Sequence, residues 1–206
     1  MPRFVVIGQK ATASDDFLLD DLPGTSGRLD VLLRCLRAAL LFSHGLRRDV
    51  VVYLVLCGGR GAPRVMRVDG GEARFIRPDE RSLATLAKKL LERGAGVRRG
   101  FAEMRPGIAI ADGGLDEVID DLGALTPYVL EESGPDVRDA EHVGRADAVF
   151  FVGDHLGFDA TTRARLAALG AVRVGVGPVS LHADDAIAIL TNEIDRRRAR
   201  ESRPGG

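Results

Sequence analysis

The chain has 206 residues, 45% of them apolar, enough to enclose one globular core. Its 29 basic and 30 acidic residues leave a formal charge of −1, which excludes a global basic field for indiscriminate nucleic-acid binding, so any RNA site must be a local patch. No stretch reaches the roughly 18 uncharged apolar residues of a membrane span, the first ten residues lack a signal pattern, and the two cysteines, Cys35 and Cys57, lie within apolar runs, which together predict a cytoplasmic protein without membrane attachment.

In chain order, Phe4 to Ile7 is a short apolar run closed by Gly8 and reads as a buried strand, followed by a polar, turn-rich stretch from Gln9 to Gly27. From Arg28 to Phe42, leucines at 29, 32, 33, 36 and 40 have helical spacing, with Arg34 and Arg37 away from the apolar face. Val50 to Cys57 is too densely apolar for a half-exposed strand and suits the centre of a parallel sheet. Two shorter strands are predicted at Arg64–Val68 and Ala73–Ile76, with Gly58–Gly61 as a turn. Pro78-Asp79-Glu80 opens a helix ending near Arg93, because an aspartate can cap its first amides.

The remainder alternates: strand Gly107–Ala111, helix Leu115–Leu122, strands Tyr128–Leu130 and Ala148–Val152, helix Ala160–Leu169, strand Val172–Val174, and a helix from Ala183 to Arg197. This pattern predicts an α/β fold with a mostly parallel sheet and flanking helices. Residues 1–197 read as a single domain, and 198–206 as a flexible basic tail.

Ligands of such sheets gather at loops leaving the carboxyl ends of strands. Three such loops stand out: Tyr128 to Gly134, Phe151 to Gly157, and Val174 to His182. Glycine at a strand exit lets a flat ligand lie against bare backbone, which singles out Gly153 and Gly177, although a glycine there can equally be a simple turn. The run Gly175-Val176-Gly177-Pro178-Val179-Ser180 lacks the third glycine of a dinucleotide fingerprint and sits at the wrong end of the chain; a Walker loop is absent as well. His44, His142, His155 and His182 show no metal-ligand spacing, so no metal is expected, and no nucleophile elbow is present. Methyl transfer asks little of side chains beyond holding donor and acceptor in line.

Several segments in a fixed order carry a resemblance: Leu22-Pro23-Gly24-Thr25-Ser26-Gly27-Arg28-Leu29-Asp30, Ser43-His44-Gly45-Leu46-Arg47-Arg48-Asp49-Val50, Arg77-Pro78-Asp79-Glu80-Arg81, Val152-Gly153-Asp154-His155-Leu156-Gly157 and Gly177-Pro178-Val179-Ser180-Leu181-His182-Ala183. Over nearly the whole chain these resemble the archaeal-type tRNA pseudouridine N1-methyltransferases, which modify position 54 of the T-loop. The resemblance implies a SPOUT-type fold with a C-terminal trefoil knot, a homodimer with active sites at the subunit interface, S-adenosylmethionine as cofactor and tRNA as partner. It implicates Leu130, Gly153, Val176, Gly177, Pro178, Val179, Ser180, Leu181 and Ala186 in the cofactor pocket. Ala186 is a departure, because the family pattern has a cysteine there.

In such an enzyme a carboxylate could take the proton from the base nitrogen, and a guanidinium could stabilise charge on the ring. Asp30 and Arg28 are the candidates, against the plainer reading of a charge pair at a helix N-terminus. Arg47, Arg48 and Arg81 are candidate RNA-phosphate contacts, or simply solvated surface charges. Two rivals stand beside this function: a methyltransferase for rRNA or another nucleotide, and a non-catalytic RNA-binding relative in which loss of the cysteine at 186 removed activity.

Overall fold

A computed structural model describes residues 1–94, 96–97 and 100–202. Its elements in chain order are β1 (Arg3–Thr12), a 3-10 turn (Leu19–Asp21), α1 (Leu22–Thr25), α2 (Leu29–Leu40), the short pair β2 (Leu41–Phe42) and β3 (Gly45–Leu46), β4 (Val51–Gly58), β5 (Arg64–Asp69) and α3 (Glu80–Arg93). They continue with β6 (Ala102–Arg105), β7 (Ile108–Asp112), α4 (Leu115–Leu122), β8 (Thr126–Leu130), a second 3-10 turn (Val137–Asp139), β9 (Ala148–Gly153), α5 (Ala160–Ala168), β10 (Val172–Val174) and α6 (Ala183–Glu201).

Apart from the small β2–β3 pair, the strands form one sheet in the order β10-β8-β9-β1-β4-β5-β7-β6. The five strands from β10 to β4 are parallel, and β5, β7 and β6 extend the sheet antiparallel. Both faces of the centre are covered, so Phe4–Ile7 of β1, Val51–Leu56 of β4 and Ala148–Val152 of β9 run without a charged residue. Phe4 and Val6 of β1, with Val52 and Leu54 of β4 and Phe150 of β9, pack on the side of α2, α3 and α6. Val5, Ile7, Val51, Tyr53, Val55 and Phe151 pack on the opposite side with α4 and α5 residues. The Phe150 ring lies 5.5 Å from Phe4 and 5.3 Å from Tyr128, stacked on both.

The leucines that predicted α2 are all buried. Burying each contributes about 1.5–3 kcal/mol against exposure, which fixes this helix face on the sheet. Asp79 caps α3 as expected, accepting a hydrogen bond from the Ser82 amide at 2.8 Å.

Three expectations about the elements need correction. β1 does not stop at Gly8 but continues to Thr12, and α1 and the first 3-10 turn occupy part of the stretch read as turns. Gly8 is there for packing: a Cβ on it would lie 2.7 Å from the Leu32 side chain, so its absence lets α2 sit close on the strand. Ala73–Ile76 is a loop rather than a strand, and Phe75 within it has φ 56°. The edge strand β6 went unread, because Ala102-Glu103-Met104-Arg105 lacks the apolar density of a buried strand.

The last helix extends four residues past Arg197, and Arg198 forms an ion pair with Asp49. Residues 203–206 of the tail expected to be flexible lie outside the described residues.

Candidate functional site

The exits of β8, β9 and β10 lie side by side at the carboxyl end of the parallel strands, because these three strands are neighbours or next neighbours in the sheet. Against them stand the N-terminal ends of α2 and α6, which pack on each other. A cavity of about 840 Å³ opens between these elements. Leu130, Gly153, Val176, Gly177, Pro178, Val179, Ser180, Leu181 and Ala186 all line it, and so does Arg28. Residues spread over more than fifty positions of sequence thus meet around one space.

The two singled-out glycines have different local jobs. A Cβ on Gly153 would lie 2.8 Å from the Gly157 Cα, so this glycine allows the chain to fold back tightly on itself. The absence of a side chain at Gly153 is thus required by the turn itself, and the residue also lines the cavity. Asp154 organises the same turn, its carboxylate accepting hydrogen bonds from the Gln9 and Leu156 amides at 2.8 Å each. At Gly177, by contrast, a Cβ would meet nothing within 4 Å, so the floor of the cavity is open there.

Arg28 sits on the cavity wall in the left-handed backbone region, φ 70°, immediately before α2. A non-glycine residue in that region carries a strain of roughly 1 kcal/mol or more unless its surroundings enforce it. The Arg28 guanidinium is held by Asp30, which is 2% exposed and accepts from Arg28 at 3.0 and 3.2 Å and from Arg34 at 2.8 Å. Burial pushes the Asp30 carboxyl up, but the hydrogen bonds and charges of the two arginines outweigh it and leave the group below its ordinary value. The carboxylate is directed at the guanidinium groups and does not line the cavity. A carboxylate so engaged is a weak proton acceptor, and its geometry is that of a clamp on Arg28.

Charged residues outside the predicted set also reach the cavity. Arg34 lies four residues beyond Asp30 on α2 and approaches Asp184 of α6 to 3.7 Å. Glu131, the first residue after β8, is held between Arg163 and Arg173, each at 2.6 Å. The i, i+4 spacing of Asp30 and Arg34 was a usable signal in the sequence. Nothing local announces Arg163, which reaches over from α5.

Arg47, Arg48 and Arg81 lie outside the cavity lining. Arg47 makes a bidentate pair with Asp195 of α6 at 2.7 and 2.9 Å, and Arg48 donates to the carbonyls of Gly70 and Ala73. Arg81 pairs with Asp20 on the surface. Arg47 and Arg48 are thus bonded within the chain, whereas the Arg81 side chain stays 65% exposed. Among the described residues no cluster of His, Cys, Asp and Glu could hold a metal ion, and no helix is long and apolar enough to cross a membrane.

Residues 1–199 match a family model described as "Putative SAM-dependent RNA methyltransferase". A tRNA (pseudouridine(54)-N(1))-methyltransferase of Methanosarcina acetivorans is 39% identical over 207 aligned positions, covering 100% of this chain and 97% of that protein. The protein of the same name from Halobacterium salinarum is 42% identical, covering 95% of this chain and 96% of its own length. Among solved structures, Archaeoglobus fulgidus Nep1 bound to S-adenosylhomocysteine has the same fold, with a TM-score of 0.67 at 20% identity and coverage of 96% of this chain and 99% of that one. With a family model spanning almost its whole length and relatives this similar end to end, the chain belongs to the SAM-dependent RNA methyltransferase family that includes the tRNA (pseudouridine(54)-N(1))-methyltransferases.

Proposed function

We propose that this protein transfers a methyl group from S-adenosylmethionine to N1 of pseudouridine 54 in the tRNA T-loop. The observation that carries the reading is the single cavity to which all three strand-exit loops and Arg28 contribute, in a chain 39–42% identical to enzymes named for that reaction.

The residues present suit the methyl donor. A volume of about 840 Å³ falls within the range of small-molecule sites, roughly 300–1,000 Å³, and the floor at Gly177 is open. Leu130, Gly153, Val176, Gly177, Pro178, Val179, Ser180, Leu181 and Ala186 would hold it. Ala186 offers only an apolar surface, so activity without a thiol at this position is expected. When bound, S-adenosylmethionine supplies an electrophilic methyl on a sulfonium.

Arg28 lies on the same wall, and its guanidinium would stabilise charge developing on the ring carbonyls as N1 gives its proton to water, takes the methyl group and leaves S-adenosylhomocysteine behind. Asp30 serves as the positioning residue that fixes Arg28 and Arg34. Selectivity follows from the acceptor itself, since N1 of uridine is occupied by the glycosidic bond whereas N1 of pseudouridine carries a hydrogen.

The C-terminal region supports a trefoil knot of the SPOUT type. The exit of β10 at Gly175 is bonded on both sides by the segment after β8: its amide donates to Pro135 and its carbonyl accepts from Val137. Beyond it, Arg197 of α6 reaches back to the carbonyls of Val137, Arg138 and Ala140. A homodimer covering the cavity mouth is supported by exposed apolar residues around it, Leu156, Val179 and Leu181, and by Ile189 on α6. The free thiols Cys35 and Cys57 suit the reducing cytoplasm.

The test is incubation with labelled S-adenosylmethionine and T-loop RNA containing either pseudouridine or uridine at position 54. Label confined to the pseudouridine substrate is expected, and equal label in both overturns the proposal.

A further inference from the structure

The loop between β5 and α3 shows an arrangement that core packing does not explain. Phe75 is 91% exposed, in a chain whose other exposed aromatic ring, among the described residues, is the half-exposed Phe42. It is also one of two non-glycine residues with positive φ among the described residues; the other is Arg28 at the cavity. The chain is pinned on either side of it, with Ala73 fully buried and Ile76 packed against the core.

Three arginines then fix the backbone. Arg48 donates to the carbonyls of Gly70 and Ala73, Arg74 to those of Gly71, Glu72 and Ala73, and Arg105 to that of Arg74 at 2.8 Å. Five consecutive carbonyls are thus each tied to a guanidinium. The backbone is thus braced from Gly70 to Arg74 while the next residue's apolar ring stands in water, with the exposed Arg77 two residues further on.

We propose that Phe75 is a stacking contact for an unpaired base of the tRNA, outside the site of methyl transfer. This rests on the tRNA reading above. A lone exposed ring beside an exposed arginine matches a nucleobase, whose face stacks on an aromatic while the Arg77 guanidinium meets phosphate. A protein partner would need a broad apolar patch, whereas Glu72, Arg74, Arg77, Asp79 and Glu80 around the ring are exposed and charged. Of these acids, Asp79 is occupied as the cap of α3.

The loop lies at the opposite end of the sheet from the cavity. Asp69 at the end of β5 is in register with Val51 and Arg3, whereas Gly153 is in register with Ile7. Four strand residues separate the two levels, more than about 13 Å before either loop is added. The contact therefore reaches RNA beyond the methylated loop.

The experiment compares binding of an unmodified full-length tRNA and of an isolated T-loop hairpin by fluorescence anisotropy. Phe75→Ala is expected to weaken tRNA binding roughly 5- to 100-fold, and Phe75→Tyr to stay within about 2-fold of the parent, with hairpin binding unchanged in both. An alanine variant with unaltered tRNA affinity overturns the proposal, as does equal loss on both RNAs. A change in sedimentation of the alanine variant also overturns it, by assigning the ring to a protein contact. Because binding needs no methyl transfer, a parent protein that binds tRNA without methylating it sinks the proposed reaction and leaves this contact standing.

Discussion

Replacing Asp30 by asparagine separates the two roles a carboxylate beside Arg28 could play. The side chain is 2% exposed and accepts three hydrogen bonds from guanidinium groups, each worth about 1.5–3 kcal/mol when donor or acceptor is charged. Arg28 and Arg34 are 44% and 37% exposed, so water recovers part of what they lose. Asparagine also keeps one acceptor oxygen. The net cost is therefore about 2–3 kcal/mol rather than the full sum, which for a chain of this length lowers Tm by roughly 4–12 °C.

The carboxyl lies below its ordinary value in the folded protein. Its stabilisation is thus complete above the unfolded pKa of about 3.9 and is lost as pH falls below it, so the parent should lose Tm more steeply than Asp30→Asn under pH 4. With Arg28 released from its clamp, kcat should fall about 10- to 100-fold by the same factor across pH 6–9, measured as methyl transfer to pseudouridine-containing RNA. A proton-accepting role would instead leave a variant whose rate climbs about tenfold per pH unit as hydroxide substitutes for the lost base. That slope, or a Tm and kcat indistinguishable from the parent, would refute the positioning role.

Gly177→Val projects a side chain into space with no protein atom within 4 Å of its Cβ. It should leave Tm within about 1 °C while weakening S-adenosylmethionine binding by calorimetry at least tenfold; unchanged affinity would remove the segment 176–181 from the donor site. Gly153→Val drives its Cβ to 2.8 Å from the Gly157 backbone, so it should cost at least about 1–3 kcal/mol in urea unfolding before any ligand is added. Arg64→Met strips the buried guanidinium that donates to the carbonyls of Leu91 and Gly94 at the end of α3; a loss of about 2–4 kcal/mol with unaltered donor affinity is expected.

The sequence by itself determined the elements whose burial is set by local pattern. The leucine spacing of α2 and the apolar runs Phe4–Ile7, Val51–Leu56 and Ala148–Val152 could be read directly, because a two-sided core leaves no charged position within those runs. It also marked the three strand-exit loops, since glycine and chain direction are local features. Tertiary structure alone decided which positions act together. That Asp30 is occupied by two arginines, that Gly153 serves its own turn, and that Arg48 braces a loop twenty-odd residues away depend on which guanidinium reaches which acceptor. Long arginine side chains choose partners by proximity in space, and neither periodicity nor propensity encodes that distance. For the same reason the run Ala73–Ile76 reads as a strand from its apolar residues, whereas the folded chain makes it a loop in which Phe75 has φ 56° and an exposed ring.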